Sequence, residues 1–413
     1  MKNYFTITKI SFLLLFLLSN LVYSQQGWVQ QVSGTSNDLY SVYFPNGNTG
    51  FAVGENGTMR RTTNGGANWT GVTSGTSNDL FEVFFLNPLT GYVSGSNGTV
   101  RRTTNSGTSW SGLTSGTSNT LYEIYFTDDN TGYVAGENGT IRKTTNGGSS
   151  WSGLTSGTSN DLYEVHFIFG NIGYVVGAGG LIRYTTNSGA SWQGQTSGTS
   201  NSLLDVRFPN SSITYILYAI GVNGTIIRTT NSGANWNPLV SGTTNDLYEV
   251  HFTYASVGYA VGQNGTILRT TNGGANWTQQ SSGTNNTLRS VFFPAVDTGY
   301  TVGLSGTIRK TTTGFVGINL IGNSIPDKFS LAQNYPNPFN PATKIRFEIP
   351  EAGFTELKVY DAAGREVKTI VSEELNMGVY EADFNAVSLP SGVYFYKLTS
   401  GGFTGTRKMI LIK

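Results

Sequence analysis

Seven tryptophans divide much of the chain into units of nearly constant length. They are Trp28, Trp69, Trp110, Trp151, Trp192, Trp236 and Trp277. Successive tryptophans are 41 residues apart, except for one spacing of 44. Repeats of this length indicate a ring of β-propeller blades, because one such unit cannot bury its apolar faces alone. The repeat therefore predicts an all-β chain.

Each unit contains phrases that are typical of four short strands. In the third unit, Leu121–Phe126 is rich in β-branched and aromatic residues and predicts an inner strand, strand A. Gly132–Gly136 predicts strand B, and Asn138-Gly139 predicts a tight turn into strand C at residues 140–145. Strand D begins at the tryptophan. The sequence thus predicts four-stranded blades.

The two ends of the repeat region are complementary. Trp28 opens a strand D without preceding strands, and residues 288–312 supply strands A, B and C without a following tryptophan. We expect residues 28–32 to complete the last blade, so that residues 25–314 form a seven-bladed propeller without an open edge.

Composition limits the possible chemistry. The chain has no cysteine, two histidines and a formal net charge of +1. Disulfides and thiolate metal sites are excluded, and no strong field favours nucleic acid. We expect no catalytic residue, no cofactor and no metal.

The ends of the chain indicate export and a second domain. Lys2 and Lys9 precede a short apolar run, which predicts a signal peptide at residues 1–24 with cleavage before Gln25. Prolines accumulate from Pro326 and the tryptophan repeat stops. We expect a linker at residues 315–325 and a small immunoglobulin-like β-sandwich at residues 326–413.

The turn between strands C and D reads TTNGGANW at residues 62–69 and recurs before five further tryptophans. It resembles the Asp-box of bacterial neuraminidase repeats, which implies a structural turn. The position that is usually Asp holds Asn64, Asn105, Asn146, Asn187, Asn231 and Asn272, and the turns end at Trp69, Trp110, Trp151, Trp192, Trp236 and Trp277. An Asn oxygen can still accept the hydrogen bonds of the turn.

The fuller phrase, G-x-x-G-T-I-x-R-T-T-N-G-G-x-x-W, resembles the propeller family of the photosystem II assembly and stability factor over residues 27–314. That resemblance implies a non-catalytic assembly role.

The C-terminal stretch carries NYPNPFNP, VYDAAGREV, LPSGVYFYKL and RKMILIK. It resembles the type A C-terminal sorting domain of the type IX secretion system. The resemblance implies passage across the outer membrane, removal by a sortase-like peptidase, and release or attachment at the cell surface.

Charged residues recur in register within the blades. Glu82, Glu123, Glu164, Asp205 and Glu249 share one position on strand A, and Arg60, Arg101, Arg142 and Arg183 share one on strand C. We hypothesise an inter-blade ladder of ion pairs in which each acid faces the strand C of the preceding blade. The alternative is a basic patch for a partner. His166 and His251 share a strand A position with aromatic residues, which favours packing in the wall.

The loops D–A and B–C of a propeller share one face. This face carries Asp38, Asp79, Asp161, Asp246, Glu55 and Glu137, and it suits recognition of a protein or a glycan. We therefore expect an exported, non-catalytic binding or assembly module, outside the cell or on its surface. The alternatives are a secreted glycoside hydrolase, which needs an asymmetric pair of carboxylates, and an adhesin.

Overall fold

The computed structural model describes residues 27–168, 170–209, 215–253, 256–295, 297–312, 318–322, 326–375, 377–387 and 389–413. The expected signal peptide and its cleavage site lie outside these residues. No helix within them is long and apolar enough to cross a membrane.

The repeat region forms seven antiparallel sheets of four strands each. Blade 1 contains β2 (Leu39–Tyr43), β3 (Gly50–Gly54), β4 (Met59–Thr62) and β5 (Thr70–Gly71); blade 2 contains β6 (Leu80–Phe85), β7 (Gly91–Gly95), β8 (Thr99–Thr103) and β9 (Ser111–Thr114). Blade 3 contains β10 (Leu121–Phe126), β11 (Gly132–Gly136), β12 (Thr140–Thr144) and β13 (Ser152–Leu154); blade 4 contains β14 (Leu162–Ile168), β15 (Ile172–Gly177), β16 (Leu181–Thr185) and β17 (Gln193–Gln195). Blade 5 contains β18 (Leu203–Arg207), β19 (Leu217–Gly221), β20 (Ile226–Thr229) and β21 (Asn237–Leu239); blade 6 contains β22 (Leu247–Phe252), β23 (Gly258–Gly262), β24 (Ile267–Thr270) and β25 (Thr278–Gln280).

Blade 7 takes its fourth strand from the other end of the repeat region. It contains β26 (Leu288–Ala295), β27 (Thr298–Gly303), β28 (Thr307–Thr311) and β1 (Val29–Gln31). The register of β1 and β28 pairs Val29 with Lys310 and Gln31 with Ile308. The N-terminal strand therefore completes the last sheet, as the complementary ends predict, and this pairing covers the edge of β28.

The strand order within a blade places strand A innermost and strand D outermost. In every blade strand A pairs only with strand B, and the seven strands A contact one another in cyclic order. They therefore line a central channel. The turns between strands B and C have left-handed residues, as in Asn138 (φ 53) and Gly139 (φ 68), which confirms the tight turn predicted there.

The residues after the propeller form two antiparallel four-stranded sheets around one core. One sheet has the order β29 (Ile318–Gly322), β34 (Gly378–Asn385), β31 (Ala342–Ile349) and β30 (Ser330–Leu331). The other has the order β33 (Glu366–Leu375), β32 (Gly353–Asp361), β35 (Gly392–Ser400) and β36 (Phe403–Leu411).

This arrangement confirms the expected sandwich but corrects its start. Strand β29 lies within the expected linker at residues 315–325 and pairs with β34, with Ile318 opposite Ala382. The boundary expected from the sequence is the change of composition at Pro326. Backbone pairing does not depend on composition, so the sandwich begins earlier.

Candidate functional site

The Asp-box-like turns have the same hydrogen bonds in all six repeats. The side-chain oxygen of Asn64 accepts a hydrogen bond from the backbone N–H of Asn68 at 2.9 Å, and the Thr62 hydroxyl donates to the same oxygen at 3.0 Å. Equivalent bonds are accepted by Asn105, Asn146, Asn187, Asn231 and Asn272. The Asn side chain therefore closes each turn as an acceptor.

The tryptophan that ends each turn packs between neighbouring blades. Trp110 is buried and contacts Phe51 of blade 1 and Phe85 of blade 2 edge-on, at ring distances of 6.2 and 5.9 Å. Trp28 has no such turn but has the same surroundings. It contacts Tyr259 of blade 6 and Phe293 of blade 7 at 6.2 and 5.9 Å. Trp28 thus anchors β1 in blade 7 as the other tryptophans anchor their own blades.

The hypothesised ladder of strand C arginines and strand A acids is wrong. The Arg101 and Arg142 guanidinium groups donate to the backbone carbonyls of Trp110 and Trp151, both at 3.1 Å. Arg60 donates to the Ser33 and Trp69 carbonyls, and Arg183 donates to the Gly157 carbonyl. The physical reason is the strand order, because strand C lies two strands outward from the channel that the acids occupy.

The strand A acids meet one another around a different arginine, Arg207 of blade 5. Its guanidinium contacts Glu164 at 2.9 Å, Asp205 at 3.1 Å and Glu249 at 3.3 Å. These acids belong to blades 4, 5 and 6. Arg207 also donates to His166 Nδ1 at 2.9 Å, which requires the neutral ring to carry its proton on Nε2. One cation therefore ties three adjacent blades together.

The channel acids also hold the next blade through its backbone. Asp205 accepts a hydrogen bond from the Val250 N–H at 2.7 Å, and Glu249 accepts one from the Val291 N–H at 2.9 Å. Ser290 and Ser41 occupy the same repeat position in blades 7 and 1. Their hydroxyls accept from the N–H groups of Val42 and Val83 at 3.1 and 3.2 Å.

Burial strongly shifts the protonation of this cluster. Burial raises the pKa of Glu164 to about 8 and that of Glu249 to about 7, with Arg207 acting in the opposite direction. Burial, followed by the charges of neighbouring carboxylates, raises the pKa of Glu82 and Glu123. Burial lowers the pKa of His251 to about 3, and Arg207 adds to this. The channel thus favours uncharged histidines and retained carboxyl protons.

The strand A acids form one layer of side chains in the channel, and a second layer is largely aromatic. It holds one residue from each blade, namely Tyr43, Phe84, Tyr125, His166, Arg207, His251 and Phe292. Neighbouring rings are in contact, as with Tyr43 and Phe292 at 4.6 Å and Tyr125 and His166 at 4.7 Å. The two histidines therefore pack in the channel wall, as their shared position with aromatic residues favours.

A third layer surrounds the channel mouth on the face of the D–A and B–C loops. We call it the mouth ring, and it consists of Tyr40, Phe81, Tyr122, Tyr163, Leu204, Tyr248 and Arg289, all half-buried. Tyr40 and Phe81 stack at 5.3 Å, Phe81 and Tyr122 lie 5.5 Å apart, and Tyr122 and Tyr163 lie 5.4 Å apart. The Arg289 guanidinium lies 4.1 Å from the Tyr248 ring centre.

The acids expected on this face hold its loops together. Asp79, Asp161 and Asp246 accept hydrogen bonds from the Asn56, Asn138 and Asn223 N–H groups of the preceding blade, and Asp38 accepts one from the Ser305 N–H. Glu55 and Glu137 accept from the N–H groups of Asp38 and Thr120 within their own blades. Each carboxylate thus has a structural partner on the face.

These acids also lie close to the mouth ring. Burial, followed by the charges of Glu137 and Asp161, raises the pKa of Tyr122 to about 12. Burial, followed by the charges of Asp79, Asp38 and Glu55, raises the pKa of Tyr40, and Arg289 acts in the opposite direction. The face therefore combines the half-buried mouth ring with a rim of negatively charged side chains.

Sequence reasoning missed the role of Arg207 and the mouth ring. Arg207 is the one arginine at a repeat position that otherwise holds only aromatic residues and histidines, and this departure was a usable signal. The mouth ring also repeats in register, one residue before the acids. Among the described residues, no group of three or more His, Asp or Glu side chains could hold a metal ion.

Several solved structures resemble this one at low sequence identity. YCF48 bound to a D1 peptide has 19% identity and a TM-score of 0.60, over 69% of this chain and 95% of that one. YCF48 from Cyanidioschyzon merolae has 18% identity and a TM-score of 0.60, over 69% of this chain and 98% of that one. PorZ, a surface component of the type-IX secretion system of Porphyromonas gingivalis, has 12% identity and a TM-score of 0.55, over 91% of this chain and 60% of that one. These likenesses show the fold.

The sequence itself matches two families. Residues 333–413 match the secretion system C-terminal sorting domain, which indicates export to the cell surface or the extracellular space. Residues 21–118 and 106–244 match the photosynthesis system II assembly factor YCF48. No curated protein matches the chain. Because the second family match spans more than half of the sequence, the chain belongs to the family of the photosynthesis system II assembly factor YCF48 and carries a secretion sorting domain.

Proposed function

We propose that the protein is an exported, non-catalytic assembly module that holds a partner protein at the channel mouth of its propeller. The observation that carries this proposal is the mouth ring. Its aromatic side chains are half-buried in a face where a rigid ring of strands fixes them in place. Tyrosines held in this way are favourable contact residues, because they contribute large area with little loss of entropy.

The relatives support a binding role. The structural neighbour YCF48 is described as bound to a D1 peptide, so a propeller of this fold can hold a polypeptide. PorZ is described as an essential surface component of the type-IX secretion system. A related assembly role at the cell surface suits a propeller joined to a sorting domain.

The sorting domain accounts for delivery. We propose that residues 326–413, together with β29, engage the type IX secretion machinery and a sortase-like peptidase. The propeller would then be released or attached at the outer surface. The ring closure by β1 suits such a place, because the sheet edge that it covers does not remain available for aggregation.

A glycoside hydrolase fits the channel less well. Glu164 and Asp205 do form an asymmetric close group, but their side chains are only 5% and 2% exposed and both contact Arg207. Hydrolysis of a glycosidic bond needs one carboxyl group at the leaving oxygen and a second at the sugar or its attacking water. Buried acids held by a common arginine and by backbone N–H groups favour a structural role.

Site-specific cross-linking in the producing cell tests the proposal. A photoreactive residue in place of Tyr122 should give a discrete cross-linked protein on the full exported chain. The matched control carries the same residue at Asp129, an exposed position on a loop between strands A and B. Equal products from both positions, or none from position 122, would contradict a partner at the mouth.

Catalysis is tested separately. The purified full chain should leave a panel of oligosaccharides intact. Turnover that is present in the parent and lost in Glu164→Gln would overturn the non-catalytic assignment.

A further inference from the structure

The mouth ring is not uniform around the channel. Blades 1 to 4 contribute an unbroken aromatic arc of Tyr40, Phe81, Tyr122 and Tyr163, in which each ring contacts the next. Blade 5 contributes Leu204 at the same position, and blade 7 contributes Arg289. The aromatic arc is therefore the part of the mouth that offers continuous π surface.

Negative charge is concentrated beside this arc. The pKa of Tyr40 is raised by burial and then by the charges of Asp79, Asp38 and Glu55. The pKa of Tyr122 is raised by burial and then by the charges of Glu137 and Asp161. The loops of blades 1 to 4 on this face, at residues 33–38, 55–58, 74–79, 96–98, 115–120, 137–139, 156–161 and 178–180, contain neither Lys nor Arg. The loops of the arc thus supply acids and no cation, whereas Arg289 of blade 7 opposes the shift of the Tyr40 pKa at the blade 1 end of the arc.

Blades 6 and 7, next to the arc, show how the mouth ring accommodates a cation. Arg289 stands at the ring position of blade 7, and its guanidinium lies over the Tyr248 ring of blade 6 at 4.1 Å. The quadrupole of an aromatic face attracts a cation at this distance. Tyr122 and Tyr163 occupy the equivalent positions in blades 3 and 4, where the chain supplies no arginine.

We propose that the aromatic arc binds a basic polypeptide segment, whose arginine or lysine side chains stack on Tyr122 and its neighbours and are attracted by Glu137 and Asp161. This inference rests on the proposed function and names the chemistry of the partner. Charge complementarity selects this occupant, because an acidic segment or an anionic membrane surface would be repelled by the same rim. The attraction of exposed charges is screened by salt, so binding should weaken as ionic strength rises.

The chain itself offers conservative variants for a test. Leu204 is the natural residue of the mouth ring in blade 5, so Tyr122→Leu removes the aromatic face but keeps apolar volume. Gln263 stands in blade 6 where Glu137 stands in blade 3, and its side-chain oxygen accepts a hydrogen bond from the Asp246 N–H at 3.3 Å. Glu137→Gln therefore removes the charge and keeps an acceptor for the Thr120 N–H.

The test measures binding of fluorescein-labelled peptides to the full chain by anisotropy. The probes are a peptide of repeated Gly-Ser-Arg units and matched peptides with citrulline or glutamate in place of arginine. The arginine peptide should bind best, and Tyr122→Leu and Glu137→Gln should each weaken it about tenfold, which is the size expected for a desolvated cation–π contact or a lost charge partner. Asp129→Asn, which removes an exposed charge on an A–B loop, and Tyr335→Ala, which removes an 80% exposed ring of the sandwich, should change nothing.

Several outcomes would overturn the inference. Equal binding of the arginine and citrulline peptides, stronger binding of the glutamate peptide, or unchanged binding by Tyr122→Leu and Glu137→Gln would each do so. If the parent binds a neutral glycan and Tyr122→Leu abolishes that binding, the ligand of the arc is a sugar and not a basic peptide. A cross-link from position 122 without arginine-peptide binding would refute only the basic chemistry, whereas loss of the cross-link would refute the proposed function itself.

Discussion

The two sides of the propeller channel join neighbouring blades through different chemical groups. In blades 4 to 6, Glu164, Asp205 and Glu249 surround Arg207 at 2.9 to 3.3 Å. In blades 7 and 1, where the ring closes, Ser290 and Ser41 occupy the same repeat position and are buried. Both sides satisfy a backbone N–H of the next blade, through carboxylates at 2.7 and 2.9 Å and through hydroxyls at 3.1 and 3.2 Å.

This difference separates two roles of one repeat position. The hydrogen bond to the next blade needs only an acceptor, because serine supplies it as well as a carboxylate. The negative charge has a separate partner, Arg207, on one side of the ring. The side that lacks this ion cluster is the side where β1 is paired with β28. Closure on this side rests on the pairing of β1 with β28 and on the packing of Trp28 against Tyr259 and Phe293.

The largest effect is expected at the closure. Deletion of residues 25–34 removes β1 and Trp28 together and should lower the melting temperature sharply. Trp28→Ala alone should cost about 3 to 5 kcal/mol of the free energy of unfolding, the usual cost of truncating a buried tryptophan. All seven tryptophans lie in the propeller, so their fluorescence monitors its unfolding in the full chain. Val32→Ala, at an 83% exposed position, is the control. Unchanged melting of the deletion variant would refute the closure by β1.

Removal of Arg207 should have the next largest effect. Arg207→Leu removes the shared cation of the buried Glu164 and Asp205 and the half-buried Glu249, and breaking a buried ion pair costs about 3 to 5 kcal/mol. The same substitution at Arg142, whose guanidinium donates to the Trp151 carbonyl, should cost less than about 1 kcal/mol. Denaturant unfolding compares the two variants. Equal losses would show that the cluster is no more important than a strand C arginine.

The acids around Arg207 should also make the stability of the propeller sensitive to pH. The raised pKa values of Glu164 and Glu249, about 8 and about 7, mean that the folded chain holds these protons more tightly than the unfolded chain. Their contribution to stability is complete below the ordinary pKa of about 4.5 and is lost as the pH rises through the folded values. The free energy of unfolding should therefore fall as the pH rises from about 4.5 to about 8 and level off above that.

A matched variant isolates this effect. Glu164→Gln should flatten the decrease, because the glutamine does not titrate, whereas Asp129→Asn should leave the slope as in the parent. The lowered pKa of His251, about 3, acts in the opposite sense, since its contribution is lost as the pH falls below about 6.5. Measurements above that pH therefore report the carboxyl groups. Equal slopes in the parent and Glu164→Gln would contradict the assignment.

The smallest effect is expected at Ser41, on the side of the channel where serines occupy the position of the acids. Ser41→Ala removes the acceptor of the Val83 N–H and should cost about 1 to 2 kcal/mol, because a buried donor is left without a partner. Ser36→Ala, at an exposed position, should stay within about 0.5 kcal/mol of the parent. If Ser41→Ala unfolds like the parent, the hydroxyl does not replace the carboxylate in joining the blades.

The sequence by itself determined the repeat, the blade count, the left-handed turns and the identity of the C-terminal module. These features follow from local patterns, since the spacing of Trp28 and the other tryptophans and the positive φ of Asn138 and Gly139 require no knowledge of distant contacts. The same patterns located the expected face acids on loops that do share one side. They failed at the sandwich boundary, because the pairing of β29 with β34 joins segments far apart in the chain.

Only the tertiary structure decided which charges meet. Counting along the repeat matched the strand A acids with the strand C arginines, because residues at one repeat position recur at the same spacing whatever direction their side chains take. The matched residues were Glu82, Glu123, Glu164 and Asp205 with Arg60, Arg101, Arg142 and Arg183. In the folded ring, strand A faces the channel and strand C lies two strands farther out, so these partners are kept apart. Arg207 contacts acids from three blades instead, since the packing of neighbouring blades brings their strands A together around the channel.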